Sequence, residues 1–321
     1  MIRKFAVAAL VAAPAMALTA QSVTVDRSLP TYRPVSGVSG SVKSVGSDTL
    51  NNLMTLWAED FKSFYPNVSI EIEGKGSSTA PPALIEGQSQ FGPMSRAMKS
   101  KEVDEFEKKF GYKPTPIRVA VDALAVFVHK DNPIESLSIE QLTDIFSVNG
   151  PRTMTWGDLG LGGEWRDKPV SLYGRNSASG TYGFFKKVAL GNNDFKPTVK
   201  EQPGSSSVVQ GIATDKFAIG YSGIGYATAD VRAVPLSIET NGEAFPANAD
   251  YAYSGDYPLA RFLYIYLNHR PNSQLDPLTR EFVRLIFSRQ GQEVTIKDGY
   301  FPVSAAIARE DLSNLGVRAG F

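Results

Sequence analysis

Cysteine is absent from this 321-residue chain, and histidine occurs only at His129 and His269. The first absence excludes disulfides and a cysteine nucleophile, so stability must come from packing. The second leaves little for zinc or acid–base chemistry: each histidine ends an apolar, strand-like run, and neither has the H-E-x-x-H spacing of a helical metal site. An excess of charge is also missing, with 33 basic residues against 33 acidic ones. No basic run or Lys/Arg stripe offers a surface to nucleic acid. Apolar runs long enough to span a bilayer as a mature helix are lacking too. The nearest match to a nucleophile elbow, Gly220-Tyr221-Ser222-Gly223-Ile224, lacks the final glycine.

What is present begins with an address. Arg3 and Lys4 precede the apolar run from Phe5 to Pro14, and the small residues Ala15, Ala17 and Ala20 follow. This is the layout of a cleavable secretory leader over residues 1–20, cut after Ala17 or Ala20; a buried N-terminal helix is the competing reading. Removing Arg3 and Lys4 takes the net charge from zero to about −2. An anion-binding site on such a chain must rely on partial charges and one or two arginines. Residues 21–40 contain Pro, Ser, Gly and Thr without an apolar period and are expected to form a poorly ordered arm or linker.

From Ser41 onward, strand and helix patterns alternate. Val42 to Val45 reads as a strand, and Leu50, Leu53, Met54, Trp57 and Phe61 then recur at helical spacing. Val68, Ile70 and Ile72 alternate as the next strand, completing a βαβ unit that predicts parallel sheet. Ile117 to Val128 is far longer than an ordinary strand of about 5–6 residues, and Leu259 to Leu267 is a second long apolar run. Two long strands suit two crossings between two lobes. The expected fold class is therefore α/β, with each lobe a mostly parallel sheet flanked by helices. Residues 41–122 and 257–321 would form lobe I, and residues 123–256 lobe II.

Three loops open helices with small polar residues. Gly46-Ser47-Asp48-Thr49 stands where a strand gives way to a helix, whose first-turn N–H groups and positive dipole end favour an anion. An ordinary helix cap would carry the same residues. Gly74 to Thr79 repeats the arrangement with Ser77, Ser78 and Thr79, although a plain loop has this composition and the Gly-Lys-Ser/Thr ending of a nucleotide phosphate loop is missing. The third loop is the most specific. In Arg175-Asn176-Ser177-Ala178-Ser179-Gly180-Thr181 an arginine fork stands beside a helix N-terminus with two hydroxyls, which suits a tetrahedral oxyanion; a surface arginine before a capped helix is the alternative.

These motifs resemble the PstS group of phosphate-binding proteins within the type II periplasmic binding proteins. The resemblance runs from about Ser41 to Val303 through Gly-Ser-Asp-Thr-Leu at 46–50, Gly-Ser-Ser at 76–78, Arg175 with Ser179-Gly180-Thr181, Ile219-Gly220-Tyr221 and Gly299-Tyr300-Phe301-Pro302. It implies the two-lobed type II fold and an anion held by Ser47, Thr49 and Leu50 from one loop, Ser77 or Ser78 from the next, and Arg175, Ser179, Gly180 and Thr181 from the other lobe. It further implies inorganic phosphate as ligand, an inner-membrane ABC permease as partner, periplasmic location, a monomer, no cofactor and no catalysis.

In one respect the chain departs from that pattern. Many such proteins carry an aspartate after the Phe-Gly strand, where it receives the proton remaining on phosphate; here the segment reads Phe91-Gly92-Pro93-Met94-Ser95-Arg96. Asp122, within the first crossover strand, is the expected substitute, with Asp48 second. Ser95 and Arg96 become an added donor and a second cation, unless Arg96 pairs with a neighbouring carboxylate. A different oxyanion (sulfate, molybdate, phosphonate), a secreted phosphatase and an adhesion protein are the rival functions. The phosphatase would need a metal-binding carboxylate cluster that the sequence does not display.

Overall fold

The computed structural model describes residues 23–318, so the expected secretory leader lies outside the described residues. The chain builds one side of the molecule with β1 (Gly40–Val45), α1 (Asn51–Phe64), β2 (Val68–Glu73), α2 (Ala80–Ile85), β3 (Phe91–Met94) and α3 (Ser100–Phe110). The long β4 (Thr115–His129) crosses to the other side. There follow β5 (Leu137–Ser138), α4 (Ile139–Phe146), β6 (Ser171–Arg175), α5 (Gly180–Val188), β7 (Lys200–Gln202), α6 (Ser205–Thr214), β8 (Ala218–Gly223), β9 (Val231–Ala233), β10 (Leu236–Ser237) and α7 (Ala249–Ser254). β11 (Ala260–Leu267) returns the chain, and α8 (Pro277–Ile286), α9 (Arg289–Lys297) and α10 (Ala305–Asn314) close the first side.

The main sheet runs β2-β1-β3-β11-β4-β8-β6-β7, with β9 also on β4. Its wings are parallel, as the βαβ patterns predict: β1 pairs with β2 and β3, and β6 with β7 and β8. The centre is antiparallel, because a chain that crosses on β4 and returns on β11 must run those two strands in opposite directions. Thr115 to Ala123 of β4 pair with β11, whereas Leu124 to Val128 pair with β8. The strand thus changes partner after Ala123, one residue beyond Asp122. From Val119 to Val128 every residue is buried, which explains a run that is apolar except at Asp122.

Each lobe has its own core. On the first side Leu53, Met54, Trp57 and Phe61 of α1 pack with Phe282 of α8; on the second, the Phe185 and Tyr221 rings stack 4.0 Å apart and Phe146 meets both edge-on. Each such side chain contributes about 1.5–3 kcal/mol by leaving water.

The arm is a correction. Part of it is anchored: Leu29 and Tyr32 are buried in the first core, the Tyr32 hydroxyl meets that of Tyr65 at 2.8 Å, and the Ala305 N–H donates to Asp26. Isolated apolar residues among prolines leave no periodic signal, yet a few suffice to anchor an extended segment. The helix α6 also escapes the periodic reading, because three serines and Gly211 dilute its buried stripe of Val208, Val209 and Ile212.

Candidate anion site between the lobes

Three chain segments of the first lobe converge beside the crossover. The Gly46–Leu50 loop leaves β1 and is pinned to its neighbours by Gly46 N–H to the Glu73 carbonyl and Ser47 N–H to the Pro93 carbonyl. Leu50 occupies the N-cap position of α1 without a side-chain cap, so Ser47, Asp48 and Thr49 are not spent on that helix. Ser77 opens a short 3-10 turn before α2, and its hydroxyl accepts the Ser95 N–H at 3.0 Å. Ser47, Thr49, Ser77 and Ser95 are all buried.

The second lobe brings α5 against them. Ser179 caps α5, its hydroxyl oxygen accepting from Thr181 N–H and Tyr182 N–H, so the cap reading applies to Ser179. Thr181 extends its hydroxyl to 2.9 Å from that of Thr49, and Ser78 N–H donates to the Ala178 carbonyl. The closeness explains two glycines. A Cβ on Gly180 would lie 2.1 Å from the Ser77 hydroxyl, and Gly76, at φ 118°, faces the Ala178 carbonyl, so larger residues would wedge the lobes apart.

Every arginine that the sequence points to this cleft is already paired with a carboxylate. Arg175 Nη1 lies 3.1 Å from Asp48 and 2.7 Å from the Ser205 hydroxyl, and its Nη2 donates to the Pro203 carbonyl. Burial holds the Arg175 pKa below its ordinary value, against the pull of Asp48. Asp48 also accepts the Ser205 N–H and hydroxyl, both at 2.8 Å. It therefore caps α6 of the opposite lobe, not the helix that follows it in sequence. Arg96 is held by Glu102 through two bonds of 2.7 Å and reaches Ser78 only at 3.3 Å. Burial works against the Glu102 charge, yet the Arg96 fork and the Lys99 N–H keep its carboxyl below the ordinary value.

Asp122 is fully buried at the switch in β4, beside these loops. Its Oδ2 receives Nε and Nη2 of Arg261 at 2.9 and 2.7 Å, and its Oδ1 receives the Ile224 N–H. Arg261 is absent from the sequence reading because its link to Asp122 is a β4–β11 register pair, invisible in a linear pattern. Ser205 is missed with its helix. Tyr226 and Tyr300 brace the first loop by donating to the Asp48 and Thr49 carbonyls at 2.9 Å. Burial, with Asp48 acting on Tyr226 and Asp122 on Tyr300, raises both phenols, so they remain protonated donors. The Gly299-Tyr300-Phe301 motif was the available signal for the second.

Two buried donors in the cleft have no protein partner, the Ser47 hydroxyl and Arg175 Nε. Leaving such groups unpaired costs about 1–3 kcal/mol each, so an acceptor-rich guest is favoured there. The chemistry on offer is hydrogen-bond donation from hydroxyls, helix N-termini and arginine, arranged between two bodies.

The chain is also similar to known proteins. Residues 32–290 match the model of the PBP superfamily domain. The "Phosphate-binding protein PstS" of Pseudomonas aeruginosa is 55% identical over 298 residues, covering 91% of this chain and 92% of its own. Among solved structures, a putative phosphate ABC transporter substrate-binding protein from Clostridium perfringens, with bound phosphate, superposes with a TM-score of 0.69 at 26% identity, covering 83% of this chain and all of its own. An ABC-type phosphate transport receptor from Vibrio cholerae has a TM-score of 0.63 at 22% identity, covering 82% of this chain and 100% of its own, a likeness of fold.

Proposed function

This chain belongs to the PBP superfamily and, within it, to the PstS phosphate-binding proteins, and from that premise we propose how it works: it captures inorganic phosphate between its lobes and delivers it to the permease of an ABC importer. The observation that carries the reading is the meeting of Asp48 and Thr49 on one lobe with Arg175 and Thr181 on the other, leaving buried donors for an oxyanion. Its relatives are named as binding proteins of transport systems, not as enzymes. Among the described residues no helix is long and apolar enough to cross a membrane. We place the mature protein in the periplasm as a monomer, exported by the leader at residues 1–20.

In this reading residues 41–122 with 257–321 form one closing body and 123–256 the other, hinged on β4 and β11. Phosphate meets the N–H groups and hydroxyls of Ser47, Thr49, Leu50, Ser77 and Ser78, then draws in Arg175, Ser179, Gly180 and Thr181. Ser95 adds a hydroxyl. Asp122 accepts the proton that phosphate keeps and sulfate lacks. Its complete burial favours it over Asp48, whose side chain is 23% exposed.

Equilibrium binding of labelled phosphate at pH 7, competed by sulfate, tests the proposal. A large excess of sulfate should leave phosphate bound in the native chain and displace it more readily from Asp122→Asn. Displacement of phosphate from the native chain by sulfate as effective as by phosphate itself would overturn the specificity. Unchanged selectivity in Asp122→Asn would move the proton acceptor to Asp48 or elsewhere.

A further inference from the structure

We propose that Arg261, a residue outside the expected phosphate contacts, is a positioning residue that fixes the direction in which the Thr181 hydroxyl donates; this rests on the phosphate reading of the site above. Arg261 and Asp122 face each other across the antiparallel β4–β11 pair, so their side chains share one face. Asp122 holds one edge of the guanidinium through Nε and Nη2. The remaining donors are thereby aimed: Nη1 at the Ser95 carbonyl of the first lobe, 2.8 Å, and Nη2 at Thr181 Oγ1 of the second, 3.0 Å. The guanidinium carbon also lies 5.2 Å from the centre of the Phe184 ring on α5.

An arginine only donates, so in its contact with Thr181 the threonine oxygen must accept. The Thr181 proton is then free to point away from Arg261, towards Thr49 Oγ1 at 2.9 Å or towards a bound oxyanion. Ser95 Oγ lies 3.5 Å from the same Thr181 oxygen and Ser77 Oγ 3.3 Å from Ser95 Oγ, so the hydroxyls form a connected row across the closed cleft. Arg261 enters that row at Thr181, between Ser95 and Thr49, and biases a hydroxyl that could point either way into a donor suited to an acceptor-rich guest. It touches strand β4, the β3 exit and helix α5 together, so the row is oriented only while α5 is docked. Arg261 thus acts on phosphate through Thr181.

The test is calorimetric titration of the full chain with inorganic phosphate, comparing native protein, Arg261→Gln, Thr181→Val and the double variant. Each single change should weaken binding about 10- to 100-fold, the size of one lost charge-assisted hydrogen bond. The double variant should be no more than about twofold worse than the weaker single, because both remove one pathway. Losses that multiply in the double variant overturn the proposal. Should Arg261→Gln fail to fold, Arg261→Lys carries the test: it keeps a positive charge opposite Asp122, but one ammonium cannot reproduce the arginine fork. Its affinity should stay low and be insensitive to adding Thr181→Val, and native affinity in Arg261→Lys would refute the assignment. A native chain that takes up no phosphate removes the site reading and this proposal together, whereas multiplying losses in a phosphate-binding chain remove only the role of Arg261.

Discussion

Two arginine–aspartate pairs flank the cleft, and they differ in what they join. Arg175 ends strand β6 and Asp48 lies in the loop after β1 of the opposite lobe, and Asp48 keeps 23% of its side chain in solvent. Arg261 and Asp122 come from neighbouring crossover strands, with side chains only 3% and 0% exposed. The first pair can separate when the lobes part; the second is built into the sheet that links them. With a neutral pair at each place, the proposed site would offer phosphate oriented donors in place of naked positive charge. In the proposed site, one pair serves closure and ligand capture, whereas the other also holds the hinge together.

The largest effect that would break this contrast is on Asp122. Asp122→Asn leaves Arg261 buried without its counter-charge and should destabilise the unliganded protein by about 3–5 kcal/mol, read from denaturant unfolding. Arg175→Ala should instead weaken phosphate binding by about 2–5 kcal/mol in a titration, with a smaller change in unliganded stability. Similar loss of unliganded stability in both variants would mean that the two pairs do the same job. A binding loss of only a few tenths in Arg175→Ala would place that arginine outside the site.

The same contrast explains how far the sequence could be read. Arg175 and Asp48 were both conspicuous, since each sits in a short run of glycine and hydroxyl residues opening a helix. That Asp48 caps α6 rather than α1 was not legible, because α6 begins 157 residues later at Ser205. Asp122 was expected only through the family resemblance, and its partner Arg261 is 139 residues away and is chosen by strand register. The lobes and crossings were legible from the length of the apolar runs, whereas the packing of Leu29 and Tyr32 depends on single side chains finding pockets. Local pattern finds the loops; it cannot find what the fold places opposite them.

A third carboxylate sharpens the comparison because it has no arginine. Asp298 follows α9, at the negative end of that helix, and accepts from Asn52 Nδ2. Burial pushes its pKa up to about 6, only partly offset by Asn52. A folded acid with a raised pKa binds protons more readily than the unfolded chain, so stability falls as pH rises from its ordinary value of 3.8 through about 6. Asp298→Asn should therefore stabilise the protein at pH 7.5 by about 1–2 kcal/mol, with the gain shrinking towards pH 4. Equal unfolding free energies for both proteins at pH 7.5 would mean that the carboxylate is not penalised there.

The smallest expected effect concerns Arg96, which has the charge of a phosphate ligand but the partners of a structural one. Glu102 occupies both Nη groups, Nη1 also donates to the Ala97 carbonyl, and the Ser78 contact is long at 3.3 Å. A guanidinium so engaged has little left to give an anion, and the carboxylate beside it cancels its charge at a distance. Arg96→Met should change phosphate affinity by less than about twofold, well below one charge-assisted hydrogen bond. Unfolding stability should fall more visibly, because Glu102 loses its partner in a site only 16% exposed. A tenfold loss of affinity with unchanged stability would reverse this assignment, making Arg96 a ligand arginine that swings away from Glu102 when phosphate arrives.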